Sequence, residues 1–255
     1  MKESIQVPIP DIRPSLPELT VTYALWKKED VLNLFLPGKR TMEKEGDLEI
    51  YTQPDGKELD IYPQPGFIYV FPSLPIKTSV TLDEAEKISR KFLEDFGGLP
   101  QDAELFEKGT IPAGDLGTIH YFTFGHKYHD IPVETDIIRV SVIGKQVSEL
   151  VFFWSRIEKE GKPTQILGAM DAIRKAWKYF HQTVFNRPVA PTKVVKLDLM
   201  YFYASAREFA KLVPMWRIGL RAELTEISEG RTQIRPFEII LRVNALTGEV
   251  WEAWK

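Results

Sequence analysis

The stretch Phe237–Trp254, FEIILRVNALTGEVWEAW, constrains this chain more than any other. Ile239 to Val243 is apolar and β-branched, the composition of a buried strand. Asn244-Ala245-Leu246-Thr247-Gly248 carries turn chemistry: Asn244 can bond the local backbone, and Gly248 can take a positive φ without a Cβ clash. Val250, Trp251 and Trp254 then resume an extended segment. The spacing predicts a β-hairpin. A weaker copy lies about a hundred residues earlier, roughly one small domain. There Ile137 to Ile143 leads into Gly144-Lys145-Gln146, and Val147 to Trp154 follows. Both copies come after a helix-like segment and an aromatic-rich strand region, so the sequence suggests a duplicated unit.

Length is sufficient for about two domains, and 44% hydrophobic residues for their cores. A formal net charge of −3 provides no basic footprint for nucleic acid. The absence of cysteine excludes disulfides, thiol catalysis and thiolate-bound metal, and leaves the compartment open. No apolar run approaches the roughly 18–20 residues of a membrane span, and Met1-Lys2-Glu3-Ser4 has no signal-peptide pattern.

Residues 1–20 hold Pro8, Pro10, Pro14 and Pro17 and read as an extended arm. Residues 18–80 look β-rich, with near-alternation at Leu19–Trp26, Leu48–Tyr51 and Leu59–Tyr62, a turn at Gln53-Pro54-Asp55-Gly56, and a buried-strand candidate at Phe67–Phe71 before Pro72 and Pro75. Thr81-Leu82-Asp83-Glu84 is a capping box. It opens a helix with Ala85, Ile88, Phe92 and Phe96 on one face, stopped by Gly97-Gly98. Strands are expected at Ile119–Phe124 and Val133–Val142, around a turn bearing His126 and His129, with His120 beside it. His126-x-x-His129 does not set both rings on one side as a helix would, so exposed turn histidines are the expectation rather than a metal pair. Arg156 to Lys162 is a plausible boundary. A second helix is expected from about Thr164 to Gln182, with Ile166, Ala169, Met170, Ile173, Trp177 and Phe180 as its stripe. Asn186-Arg187-Pro188 and Pro191 break the chain. Val194–Tyr203 and Leu212–Leu220 are strands, joined through Ala204–Lys211, with a turn at Glu226–Arg231.

The expected fold is α+β: two tandem helix-plus-antiparallel-sheet (PepSY-like) units with an extra β-rich N-terminal segment. The expected divisions are 1–20 (arm or stalk remnant), 21–160 (first unit, including the N-terminal strands) and 161–255 (second unit).

Leu212-Val213-Pro214-Met215-Trp216-Arg217-Ile218, after Val195–Tyr203 and before Val243–Val250, resembles the C-terminal part of the YycI/YycH family. The middle segment, with Ile131-Pro132-Val133 and Ile138–Val142, is similar to PepSY-like modules and metalloprotease propeptides. The family resemblance implies an extracytoplasmic, membrane-anchored regulator of a YycG (WalK) sensor histidine kinase in Gram-positive bacteria. It implies that kinase and a sister YycH-type protein as partners, with a homodimer left open. The anchor it implies is absent from this sequence, and the proline-rich arm would be the remnant of its stalk.

No catalytic motif stands out: there is no Gly-x-Ser-x-Gly elbow, no phosphate-binding glycine loop and no His-Glu-x-x-His. The expectation is therefore a binding protein without turnover, cofactor or metal. Its partner surface needs aromatic and arginine anchors. Candidates are Trp154, Tyr201, Tyr203, Trp251 and Trp254, with Tyr201, Tyr203, Trp251 and Trp254 preferred. Strand alternation puts Trp216 and Arg217 on opposite faces; Trp216 is expected in the core and Arg217 against a carboxylate. Two other readings stay open: a propeptide-like inhibitor or folding helper of a secreted protease, and a small-ligand-binding protein.

Overall fold

The computed structural model describes residues 5–11, 14–23, 26–63, 66–71, 79–114, 117–184, 192–205, 208–228 and 231–252. The chain forms two compact units. A central unit covers Val21–Arg156, and a terminal unit combines Met1–Thr20 with Ile157–Lys255.

In chain order, β1 (Ser15–Leu16) and β2 (Leu19–Thr22) come first. Then follow α1 (Lys28–Phe35), β3 (Thr41–Glu45), β4 (Leu48–Thr52), β5 (Glu58–Tyr62), β6 (Gly66–Val70) and α2 (Leu82–Asp95). Next are β7 (Glu104–Pro112), β8 (Thr118–Gly125), β9 (Lys127–Tyr128), β10 (Ile131–Pro132), β11 (Ile137–Ile143) and β12 (Gln146–Phe153). Last come β13 (Arg156–Glu160), β14 (Thr164–Gln165), α3 (Ala169–Tyr179) with a π turn at Phe180–Val184, β15 (Lys193–Ser205), β16 (Glu208–Ser228), β17 (Arg231–Asn244) and β18 (Val250–Glu252).

The central unit is an eight-stranded antiparallel sheet in the order β3-β4-β5-β6-β12-β11-β8-β7. Alternation builds its core. Ile138 and Val140 on β11 lie opposite Phe124 and Phe122 on β8, and all four are buried. Aromatic rings continue the layer. Phe67 stacks on Phe152 with centroids 5.4 Å apart, and Phe35 of α1 lies 4.5 Å from Tyr69.

Thr81 caps α2 as expected. Its hydroxyl accepts from the Glu84 amide at 3.2 Å, and the Glu84 carboxylate accepts from the Thr81 amide at 2.8 Å. Gly97 and Gly98 end the helix at φ 118 and 88, with the Gly98 amide donating to the Leu93 carbonyl at 2.8 Å. The buried face is Ala85, Ser89 and Leu93. Ile88, Phe92 and Phe96 of the expected stripe are only half-buried. The short α1 falls in the region expected to be β-rich and without a helix. Its eight residues bury Val31, Leu32 and Phe35, a stripe too short to outweigh the surrounding alternation.

The terminal unit holds a six-stranded sheet, β13-β2-β16-β17-β18, with β15 on the remaining side of β16. Trp216 is in the core as expected, 2% exposed, and its indole donates to the Leu167 carbonyl at 2.8 Å. The hairpin of β17 and β18 also forms. Asn244 Oδ1 accepts from the amides of Leu246 (2.9 Å) and Thr247 (3.1 Å), and Gly248 sits at φ 77.

Several expectations are corrected. Strand occupies 53% and helix 18%, with three helices among the described residues. The fold is therefore mostly β, and two tandem helix-plus-antiparallel-sheet (PepSY-like) units with an added N-terminal segment do not describe it. The physical reason is that β3 to β6 are no appendage: they supply half of the central sheet. Residues 14–20, expected as an arm, are built into the terminal unit. Leu16 and Leu19 are buried, and β1 pairs with β14. The second helix starts at Ala169 rather than Thr164, because the amides of Ile166 and Leu167 donate to the carbonyls of Pro14 and Ala245. The expected turn at Glu226–Arg231 is shorter, since β16 runs through Ser228 and β17 begins at Arg231. The breaks expected at Pro72, Pro75 and Asn186–Pro191 lie outside the described residues. Among the described residues no helix is long and apolar enough to cross a membrane.

Candidate functional site

Registered pairing across the terminal sheet sets one row of side chains on one face. Asp198 on β15 lies opposite Arg217 on β16, Arg217 opposite Arg242 on β17, and Arg242 opposite Trp251 on β18. Two arginines directly opposite repel unless each has its own partner. Arg217 donates from Nε and Nη2 to one oxygen of Asp198, at 3.1 and 2.9 Å, so its expected carboxylate partner is Asp198. Arg242 stacks over the Phe202 ring, 4.2 Å from its centroid. These five side chains are all half-buried. Beside them Met200, Val213 and Met215 form a buried cluster, against which Phe202, Leu246 and Trp251 pack. Aromatic and arginine groups around an apolar centre are the composition of a contact patch.

Of the residues expected to meet a partner, Trp251 belongs to this row. Tyr201 and Tyr203 do not, because alternation turns them away from Met200 and Phe202. They are 0% and 5% exposed, and the Tyr201 hydroxyl donates to the Pro17 carbonyl at 3.1 Å. Trp154 is also buried, its ring 4.7 Å from that of His126. Trp254 lies outside the described residues. Sequence reasoning missed Phe202, Arg242 and Asp198. Their signal was present only in the register, which relates residues from four strands.

The histidines correct another expectation. His120 and His126 are buried, at 6% and 1% exposure. His120 Nδ1 lies 3.1 Å from the Thr110 hydroxyl, and Nε2 lies 3.0 Å from the Val80 carbonyl. His126 sits between two carboxylates, with Nδ1 2.9 Å from Asp102 Oδ2 and Nε2 2.9 Å from Asp136 Oδ2. Asp136 is buried and also accepts from the Ser155 amide at 2.9 Å. Burial alone would lower the His126 pKa, but the carboxylates of Asp136 and Asp102 more than offset it and hold the pKa above 6.5. The cluster is an internal clamp at the entry to β11. Of the three histidines in or beside the turn, only His129 is exposed, at φ 49. Among the described residues no group of three His, Asp, Glu or Cys could hold a metal ion.

The central unit also carries a groove of about 890 Å³ beside α2, with Phe71, Ile88, Phe92 and Val147 among its lining residues. Asp60 of β5 stands apart from it. Its carboxyl is pushed up to about 6 by burial, with the charges of Glu58 and Glu45 adding to the effect. Its cross-strand neighbours are Ile50 and Ile68.

No protein-family model matches the sequence, and no curated protein matches it. Among solved structures the chain is similar to an uncharacterized protein from Eubacterium rectale ATCC 33656. The TM-score is 0.55 at 12% identity, covering 94% of this chain and 86% of that one. Identity this low makes the likeness one of fold alone.

Proposed function

We propose that this protein works by contact rather than by turnover, as an extracytoplasmic regulator of a YycG-type membrane sensor kinase. The observation that carries a contact role is the half-buried row of Arg217, Arg242 and Trp251 with Phe202 at its side. Partly covered aromatic and arginine anchors beside an apolar centre give the largest losses when an interface is truncated. Leu212–Ile218 and Val243–Val250, two of the three stretches that resemble the YycI/YycH family, support the kinase as partner through their placement. Met215 and Trp216 lie opposite Asn244 and Val243, so both segments build one part of the sheet, next to the row. A regulator of this kind shifts the kinase between states by binding one of them better.

The test is calorimetric titration of this protein into the extracytoplasmic sensor domain of such a kinase, with a sister YycH-type protein as second titrant. Micromolar binding is expected. Trp251→Ala and Arg242→Ala should each weaken it about tenfold or more, or about 1.4 kcal/mol. Absence of heat with both partners would overturn the proposal.

A further inference from the structure

Ile88 and Phe92 lie one position off the buried stripe of α2, and the sheet covers them only in part. They form one wall of the 890 Å³ groove, together with Phe71 just beyond β6 and Val147 at the start of β12. A second hollow of about 290 Å³ shares Lys57, Phe71, Phe92 and Asp95 with the groove and continues along Leu34, Phe35 and Tyr69. The apolar path is therefore elongated, and its main chamber falls within the roughly 300–1,000 Å³ of small-molecule sites.

The rim is charged, and unevenly. Lys57, Lys87, Lys91 and Lys145 face Asp55 and Asp95. Among the described lining residues that leaves two positive charges in excess, on a chain whose net charge is −3. Lys57 pairs with Asp55 at 2.7 Å, and Lys91 pairs with Asp95. The positive excess is therefore Lys87 on α2 and Lys145 in the turn between β11 and β12. Both lie near Glu84, whose carboxyl is held below its usual range first by hydrogen bonds from Thr81 and then by the charges of Lys145 and Lys87. Glu84 is engaged with the Thr81 amide and hydroxyl, at 2.8 and 3.0 Å, and keeps its negative charge, so it offsets one of the two lysines.

We infer that the groove is a binding site for a free long-chain carboxylate, its tail along Phe71, Ile88 and Phe92 and its head group between Lys87 and Lys145. An elongated apolar path selects the tail, and the excess of lysine at one mouth selects an anion over a neutral or cationic head. The inference concerns the central unit and does not rest on the kinase reading.

Calorimetric titration of the full chain with dodecanoate tests it, with dodecyltrimethylammonium as a probe of equal tail and opposite charge. Dodecanoate should bind with micromolar affinity and at least about tenfold tighter than the cation. Replacing both lysines (Lys87→Gln with Lys145→Gln) should remove that preference while the chain still melts in one cooperative transition, since both side chains lie at the rim of the groove. Ile88→Trp, which fills the path, should abolish binding of both probes. Equal affinity for the two probes, or a preference that survives loss of both lysines, would overturn the inference. So would absence of binding.

Discussion

The two glycine-turn hairpins look alike in the sequence and occupy different places in the protein. The β11–β12 hairpin turns through Gly144-Lys145 and lies inside an eight-stranded sheet, with β8 on one side and β6 on the other. β12 therefore runs eight residues and buries Leu150 completely. The β17–β18 hairpin turns through Asn244–Gly248, and β18 is a three-residue strand at the end of its sheet. Its residues are all half-buried. One pattern of strand, glycine turn and strand thus yields a central strand where a further strand covers it, and a short edge where, among the described residues, none does.

Truncation of one apolar residue in the second strand of each hairpin tests this comparison most severely. Leu150→Ala should cost about 3 kcal/mol, because it opens a cavity in a fully covered strand. Val250→Ala should cost about 1 kcal/mol or less, since the strand is half open to solvent. Urea denaturation of both variants reads the difference, and equal costs would break the distinction between centre and edge.

The central hairpin also depends on the clamp at the entry to β11. The His126 pKa is raised in the folded chain, so the folded state binds more protons than the unfolded one. Its contribution is fully present below 6.5 and is lost as the pH rises through the higher folded value. Stability should fall over that window. His126→Gln should flatten this part of the pH profile of the melting temperature.

The edge hairpin depends instead on its turn. Asn244→Ala removes the acceptor for two amides and should cost about 1–2 kcal/mol by thermal melting. The cost should be nearly independent of pH, in contrast to the central clamp.

Asp60→Asn should give a small effect of opposite sign. The folded pKa of about 6 exceeds the ordinary 3.8, so this carboxyl disfavours folding as the pH rises from 3.8 through 6. Removing the charge should stabilise the protein at neutral pH by about 1 kcal/mol, the shift being discounted for solvent screening on a partly exposed strand. The gain should vanish at pH values below 3.8.

Much of the local structure was legible in the sequence. The capping box at Thr81, the Asn244–Gly248 turn, the placement of Trp216 and the pairing of Arg217 with a carboxylate follow from neighbours in the chain or from simple alternation. The candidate contact row was half legible. Trp251 was named from its residue type, but Tyr201 and Tyr203 were chosen by the same criterion and are core residues. Type alone does not tell an anchor from a core aromatic, because both bury large apolar area. His126 shows the same limit, since its burial depends on Asp102 and Asp136, which only folding brings to the ring.

By itself the sequence determined the cap of α2, the Asn244–Gly248 turn and which strand faces are apolar, because these depend on interactions over a few residues. The tertiary structure decided how many strands each hairpin joins, and hence that the fold is mostly β. It also decided which stripe of α2 the sheet covers, leaving Ile88 and Phe92 at a groove. Those outcomes depend on pairing between segments far apart in the chain, where register and coverage carry no local signal.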